Sequence, residues 1–376
     1  MFIVYCQKKN ILYIIFILLL FFLVILGFFS NYKYVKVISF VITLFILYSI
    51  FLFISYTPDR EIYSWLLYSR ELSNDKEPIF NLIASYVRNH NYDYEALHFI
   101  YLLFICFFYL LFVSKFIRNV LPITLLYIPL IFIFFGTQLR YFLGFFLVLL
   151  GLYYFFVKKN KSLAFSNFTL GIANHYSLIL YILFYLLYKI KQNFFRKIFH
   201  ITIYISLGYL ILTNVIFNML SGVRFVAYLQ GDLVSSYLGG IFTFIPIIPI
   251  YFLVNSYYKK RISLQPELID DEKFIFLYKM SIIPSVFMGI ALTIQVIGHR
   301  IIMTGMLFPI LLFFYKYNEI KNLNFKIKTS IIFALVYLYL FFHFNLSTAY
   351  ILGKWEGLEQ IEKMILSNPI LEYLIS

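Results

Sequence analysis

Charge is scarce in this chain, and so are cysteine and polar connecting sequence; each shortage removes a class of function. Only 13% of the 376 residues are charged, too few to give a water-facing globule of this size a polar surface. The two cysteines, Cys6 and Cys106, stand far apart, so neither a disulfide framework nor a Cys-x-x-Cys redox or metal pair is available. No grouping of histidine, cysteine or carboxylate has metal-ligand spacing, and no metal or cofactor is expected. A phosphate-cradling glycine loop and a nucleophile elbow are both missing, which leaves nucleotide hydrolysis and serine chemistry without support. The net charge is +14, but the lysines and arginines occur singly or in short clusters between apolar runs. Without a basic face or stripe, nucleic acid is not an expected partner.

What the chain has in abundance is apolar sequence: 62% hydrophobic residues, 22% aromatic residues and a mean hydropathy of +0.87. Runs near the length of one bilayer crossing, about 20 residues, repeat at 11–29, 37–55, 97–113, 120–135, 141–157, 163–187, 198–220, 238–258, 274–297, 301–315 and 330–351. The fold class expected is an all-α polytopic membrane protein, with about ten full transmembrane helices plus one broken, re-entrant pair. Residues 1–376 form a single integral membrane domain, carrying an outer loop at 56–96 and an outer tail at 354–376. The run at 11–29 follows Lys8 and Lys9 but lacks a small-x-small cleavage pattern, and reads as a span rather than a signal peptide.

Two apolar stretches are too long for one crossing. Val120–Val157 would extend about 57 Å as a single helix and Phe274–Tyr315 about 63 Å, against a hydrocarbon core of roughly 30 Å. Each must turn, and the interruptions Gly136–Arg140 (GTQLR) and Gly298–Arg300 (GHR) are the candidate turns. The run at 163–187 has lysine clusters at both ends, so both ends favour the cytoplasm. A hairpin of half-helices meeting near Asn174 and His175 satisfies this, because broken helices are tolerated where they line a cavity. The outer face then holds 56–96, the three polar interruptions GTQLR, GHR and Gly171–Ser177 (GIANHYS), and the tail. Lys8 and Lys9 run against the trend.

The outer loop contains two amphipathic stretches suited to the membrane interface. Thr57 and Pro58 open Pro58–Leu72, with Ile62, Trp65, Leu66 and Leu72 on one face; Pro78–Asn89 presents Ile79, Phe80, Ile83, Tyr86 and Val87.

Charge at membrane depth costs about 2.5 to 3.5 kcal/mol per residue on insertion scales, which makes intramembrane arginine and histidine candidates for function. Arg140, beside Gln138, could reach the headgroups or point into a cavity. Arg300, beside His299, is harder to read as an anchor. Such arginines suit a diphosphate, since a guanidinium fork holds phosphate oxygens in paired hydrogen bonds. Arg224 is a third candidate, with a solvated loop as the alternative. His175, with Asn174 and Ser177, could accept a proton from a hydroxyl or satisfy the broken backbone. Asp59 and Glu61 are either ion-paired loop carboxylates or a base for a sugar hydroxyl. Tyr63 and Trp65 could stack on sugar faces, although aromatic side chains are common at membrane interfaces. His343 and Asn345 suit helix-to-helix hydrogen bonding, and the Asp270–Asp271 pair suits a solvated loop.

The order of these residues resembles the bacterial O-antigen polymerases called Wzy, and in particular the EpsG-like exopolysaccharide membrane proteins. Asp59 four residues before Tyr63, Arg140 opening a span that ends in Lys158–Lys161, His175 two residues before Ser177, and Arg300 before a late span carry the likeness, over roughly Val37–Tyr315. Tyr141 stands where the group often has glutamine, while Gln138 lies two residues before Arg140. The resemblance implies glycosyl transfer from an undecaprenyl-diphosphate-linked chain to a lipid-linked acceptor, in a bacterial inner membrane with the site facing the periplasm. Arg140, Arg300 and Arg224 would bind diphosphate. His175, Asp59 and Glu61 would be catalytic, and Gln138, Tyr63, Trp65, Asn174, Ser177 and His299 would bind substrate. Undecaprenyl-diphosphate-linked oligosaccharides, the bilayer and a chain-length regulator are the implied partners. A lipid-linked oligosaccharide flippase, an O-antigen ligase and a membrane acyltransferase are the alternatives.

Overall fold

The computed structural model describes residues 33–55, 57, 59–68, 77–190, 197, 202, 204, 245, 247–287, 298–346 and 362–369. Among them the secondary structure is helical throughout, with no β-strand. Among the described residues five helices are long and apolar enough to cross a membrane: Tyr34–Leu52, Tyr94–Val113, Leu139–Phe156, Arg300–Glu319 and Leu323–Asn345. The expected spans at 11–29 and 198–220, Pro58, Arg224 and most of the tail from 354 lie outside the described residues. The chain divides into two compact units, one of Met1–Ile128, Phe132–Ile179 and Gln360–Ser376, the other of Pro129–Ile131 and Leu180–Glu359.

The first unit is built from α1 (Lys33–Leu52), α2 (Arg60–Tyr68), α3 (Pro78–Asn89), α4 (Tyr94–Val113), α5 (Leu121–Leu130, whose last two residues belong to the second unit), α6 (Phe132–Thr137), α7 (Leu139–Phe156) and α8 (Lys161–Asn174). Asp93 caps α4 by accepting from the Ala96 N–H at 3.3 Å, and Asn160 caps α8 through the Leu163 N–H at 3.0 Å. Helices α1 and α4 run antiparallel, with ring contacts Phe40–Phe107 at 5.9 Å and Tyr48–Phe99 at 5.4 Å. Helix α7 runs parallel to α4, through Tyr109–Phe146 at 5.3 Å and Phe116–Tyr153 at 5.4 Å. The amphipathic helices α2 and α3 bury Tyr63 and Leu67, and Phe80, Ala84 and Val87, respectively.

Glycines let α7 and α8 come into backbone contact. A Cβ on Gly171 would stand 2.7 Å from the Gly144 carbonyl oxygen and 2.7 Å from Val148 Cγ2; one on Gly144 would stand 2.6 Å from the Gly171 carbonyl oxygen. One heptad further along, a Cβ on Gly151 would lie 2.9 Å from the Phe168 ring and 3.1 Å from the Ala164 carbonyl. Small residues spaced by seven keep one seam facing the neighbour, the usual means of close approach where lipid supplies no hydrophobic drive between helices. This seam fixes the position of the C-terminal end of α8.

The break expected at GTQLR is present: α6 ends at Thr137, Gln138 has φ −85° and ψ 59°, and α7 starts at Leu139. A further interruption follows Pro129, whose missing N–H weakens the end of α5. GHR differs from its expectation. It forms part of a π-helical turn, Gly298–Met303, rather than a tight reversal. The α-helical ladder is lost earlier, in a 3-10 segment at Ile283–Phe287, where Pro284 supplies no N–H.

In the second unit, α9 (Ile182–Tyr188), α10 (Ile247–Leu264), α11 (Glu272–Ile282), α12 (Leu307–Phe314) and α13 (Leu323–Leu346) pack through aromatic rings. Tyr258 and Tyr278 stack at 3.7 Å, and Phe313 and Phe333 at 4.1 Å. Helices α11 and α12 lie against each other, so the run from Phe274 to Tyr315 does double back. The solvated loop expected at Asp271 is instead a joint. Its carboxylate accepts from the Lys273 and Phe274 N–H groups at 3.0 and 3.1 Å and from Lys316 at 2.8 Å. The buried Arg261 donates to the Tyr315 and Lys316 carbonyls beyond the end of α12, a favourable place for a cation. Asn345 donates to the Pro129 carbonyl at 3.3 Å, a helix-to-helix bond of the kind expected.

Gly171→Val should lower the stability of the purified protein by about 1 to 3 kcal/mol through overpacking. Leu170→Ala, at a 45% exposed neighbour, should stay within about 0.5 kcal/mol of wild type. Thermal melting of both variants in the same detergent measures the difference.

Candidate functional site

Three chain breaks in the first unit bring their polar residues to one place. The first precedes α3, where Pro78 occupies the first helical position and disfavours a helical conformation at Glu77, which has φ −111° and ψ 79°. The Glu77 side chain therefore makes no capping bond to its own helix. It reaches instead to the second break, at the start of α7, where Oε2 accepts from Arg140 Nη1 at 2.5 Å. Its other oxygen, Oε1, is 2.6 Å from Nδ1 of His175, which occupies the third break, beyond α8. One carboxylate thus joins a guanidinium and an imidazole.

The surroundings explain why these groups hold position. Arg140 lies in the first turn of α7, where the exposed N–H groups and helix dipole disfavour a cation. Glu77 offsets that cost, and the Tyr63 and Phe80 rings lie 5.4 and 4.8 Å from the guanidinium carbon. The fully buried Asn174 donates to the Arg140 carbonyl and accepts from the Tyr101 hydroxyl at 3.1 Å. The end of α8 is thereby tied to the start of α7 and to α4. His175 leaves the helix with φ −150° and ψ 110°, and its ring meets Tyr141 edge-on at 5.7 Å. The site is largely closed: side-chain exposure is 8% for Glu77, 16% for His175 and 21% for Arg140.

Burial alone would raise the pKa of Glu77. The His175 hydrogen bond and charge, the Arg140 charge and the Tyr176 N–H outweigh it, and hold the carboxyl below its ordinary 4.5. With the carboxylate ionised, His175 Nδ1 is the donor and Nε2 carries the ring's lone pair in the neutral form.

Of the residues expected from sequence, Arg140, His175, Asn174 and Tyr63 come together here. The Tyr63 hydroxyl lies 3.5 Å from the Arg140 N–H. Asp59 is at the start of α2, where its carbonyl accepts from the Tyr63 N–H at 3.0 Å. Gln138 forms the break before α7, and Ser177 follows His175 with its Oγ buried. Glu61 and Trp65 are exposed on α2. Arg300 belongs to the second unit, where its carbonyl accepts from Tyr181 at 3.4 Å. His299 lies on the same π-helical turn.

Sequence reading missed Glu77, the group at the centre. Its signal was a carboxylate directly before the proline that opens an amphipathic helix.

Residues 36–355 match the EpsG family. The chain belongs to that family, a group of polysaccharide polymerase-like membrane proteins. No curated protein and no solved structure matches it significantly. The membership supports a multi-pass membrane protein of polysaccharide biosynthesis with polymerase-type function.

A carboxyl whose folded pKa is lowered stabilises the fold fully above its unfolded pKa, and that contribution disappears as pH falls through the folded value. Glu77→Gln should therefore melt below wild type at neutral pH, and the gap should close as pH drops below about 4.5. Melting curves across this acid range measure it; a gap independent of pH would contradict the assigned ionisation.

Proposed function

We propose that this EpsG-family protein polymerises lipid-linked oligosaccharide repeat units. A glycan would move from an undecaprenyl-diphosphate carrier to the non-reducing end of a second lipid-linked unit, at the periplasmic face of a bacterial inner membrane. The observation that carries this reading is the Glu77 carboxylate shared by Arg140 at 2.5 Å and His175 at 2.6 Å beside the start of α7. A helix start with an arginine in its first turn favours an anion, and a carboxylate-oriented imidazole is an established arrangement for a general base.

In this mechanism the acceptor hydroxyl oxygen attacks the anomeric carbon of the donor sugar. Its proton passes to His175 Nε2, and the resulting imidazolium is stabilised by Glu77. The bond between the anomeric carbon and the diphosphate oxygen breaks with its electron pair, and Arg140 at the positive end of α7 stabilises the leaving diphosphate. Glu77 orients the histidine and counters the charge of Arg140. It touches no reacting atom, and its role is positioning. Tyr63 belongs to the site through Arg140, while Asn174 and Tyr101 hold the two backbone breaks together.

Topology supports the outward orientation. Helices α4 and α7 begin at the site and end near Lys115 and Lys158, while α8 begins at Lys161 and returns to it. The lysine-rich end favours the cytoplasm, which leaves the Glu77 end outside.

In cells carrying a deletion of the gene, Arg140→Ala and His175→Ala should fail to restore long surface glycans, although the proteins accumulate in the membrane. Loss of the general base should cost about 10² to 10⁴ in rate. A surface glycan limited to one repeat unit is the result expected. A complete absence of repeats would point to flipping or ligation, and wild-type lengths in both variants would remove the site assignment.

A further inference from the structure

At the end of the first unit opposite Glu77, two basic loops meet the basic first turn of α1. Ser39, one turn after Lys36 on α1, donates to Asn119 at 2.8 Å and accepts from the Val120 N–H at 3.2 Å. Lys36 and Arg118 are thereby brought to one corner. Lys115, after α4, lies 5.7 Å from the ring centre of Tyr154 on α7. The Tyr154 carbonyl in turn accepts from the Asn160 N–H at 2.9 Å, closing the loop that carries Lys158 and Lys159 before Lys161 opens α8. Lys159 takes the left-handed conformation, φ 53°, which a side chain bearing Cβ ordinarily avoids. That turn confines three lysines to four residues. Lys36, Arg118, Lys158, Lys159 and Lys161 are all exposed.

The chain has no aspartate or glutamate from Ala96 to Gly231, and residues 33–40 add none. These stretches of sequence therefore add cations and no carboxylate of their own. Large apolar side chains are exposed within two turns of the cations: Val37 at 63%, Val41 at 57% and Phe165 at 75%.

We propose that this end of the first unit is a binding site for an anionic phospholipid, its phosphate held by Lys36, Lys115 and Arg118 with Lys158, Lys159 and Lys161 at the rim. The cations stand at the ends of membrane-length helices, where headgroup phosphates lie, and each cation near the surface contributes to attraction by an anionic leaflet. The arginine can hold two phosphate oxygens at once, and the lysines act as point charges. Exposed apolar residues next to the cations fit the acyl chains of the same lipid. A soluble acidic partner would leave them uncovered.

Native mass spectrometry of the full chain in detergent, with phosphatidylglycerol and phosphatidylcholine supplied equally, tests the site independently of catalysis. Wild type should retain phosphatidylglycerol preferentially. The combined variant Lys36→Gln, Lys115→Gln and Arg118→Gln should weaken retention by about tenfold or more. Changing Lys259, Lys260 and Lys321 of the second unit to Gln should leave the tightest-held lipid in place. Equal retention of both lipids, undiminished retention by the first variant, or displacement of the lipid by inorganic phosphate would overturn the proposal. Should that variant fail to fold, added salt decides with wild type: the preference should decline as salt screens the headgroup, and a salt-independent preference would contradict the site.

Discussion

The ionised carboxylate of Glu77, held between Arg140 and His175, is the interaction on which the rest of the first unit converges. A mostly buried carboxylate is costly without partners, and here two charge-assisted contacts and a backbone N–H supply them. Each partner comes from a different part of the chain: the residue before α3, the first turn of α7 and the residue after α8. Three backbone interruptions are thereby tied into one rigid constellation. The glycine seam between α7 and α8 makes this geometry accessible, because larger side chains at Gly144 or Gly171 would hold the Asn174–His175 end away from Arg140.

This arrangement divides the work of the proposed reaction. The helix start and Arg140 form the anion-attracting side, and the imidazole forms the proton-accepting side. Glu77 keeps the two side by side without excess positive charge when no substrate is bound. The opposite end of the same helices is basic and exposed, so the proposed reaction and the proposed phospholipid site lie at the two ends of one set of helices.

Much of this was legible in sequence because its signals were local. Apolar run length gave the membrane class, and polar residues inside apolar runs marked GTQLR and the Asn174–His175 break. Arg140 and His175 stood out because charge at membrane depth is costly, and Tyr63 as an aromatic able to stack on a sugar and through the resemblance. Glu77 did not stand out, since a carboxylate in a polar loop is ordinary until the proline after it turns its side chain toward distant partners. Asp59 and Glu61 drew attention through their neighbours in sequence, whereas the bridge to Arg140 spans 63 positions. GHR was read as a turn because glycine and polar residues interrupted an apolar run. Pro284, inside apolar sequence, is where the α-helical ladder is lost first.

The most direct test of the central claim is a double-mutant cycle on thermal stability, comparing Glu77→Gln, His175→Gln and the double variant at neutral pH. If the carboxylate and imidazole share a hydrogen bond, the effects will be non-additive by about 0.5 to 3 kcal/mol, the double variant losing little more than either single one. Strict additivity would mean that the two side chains do not meet, and would contradict the account.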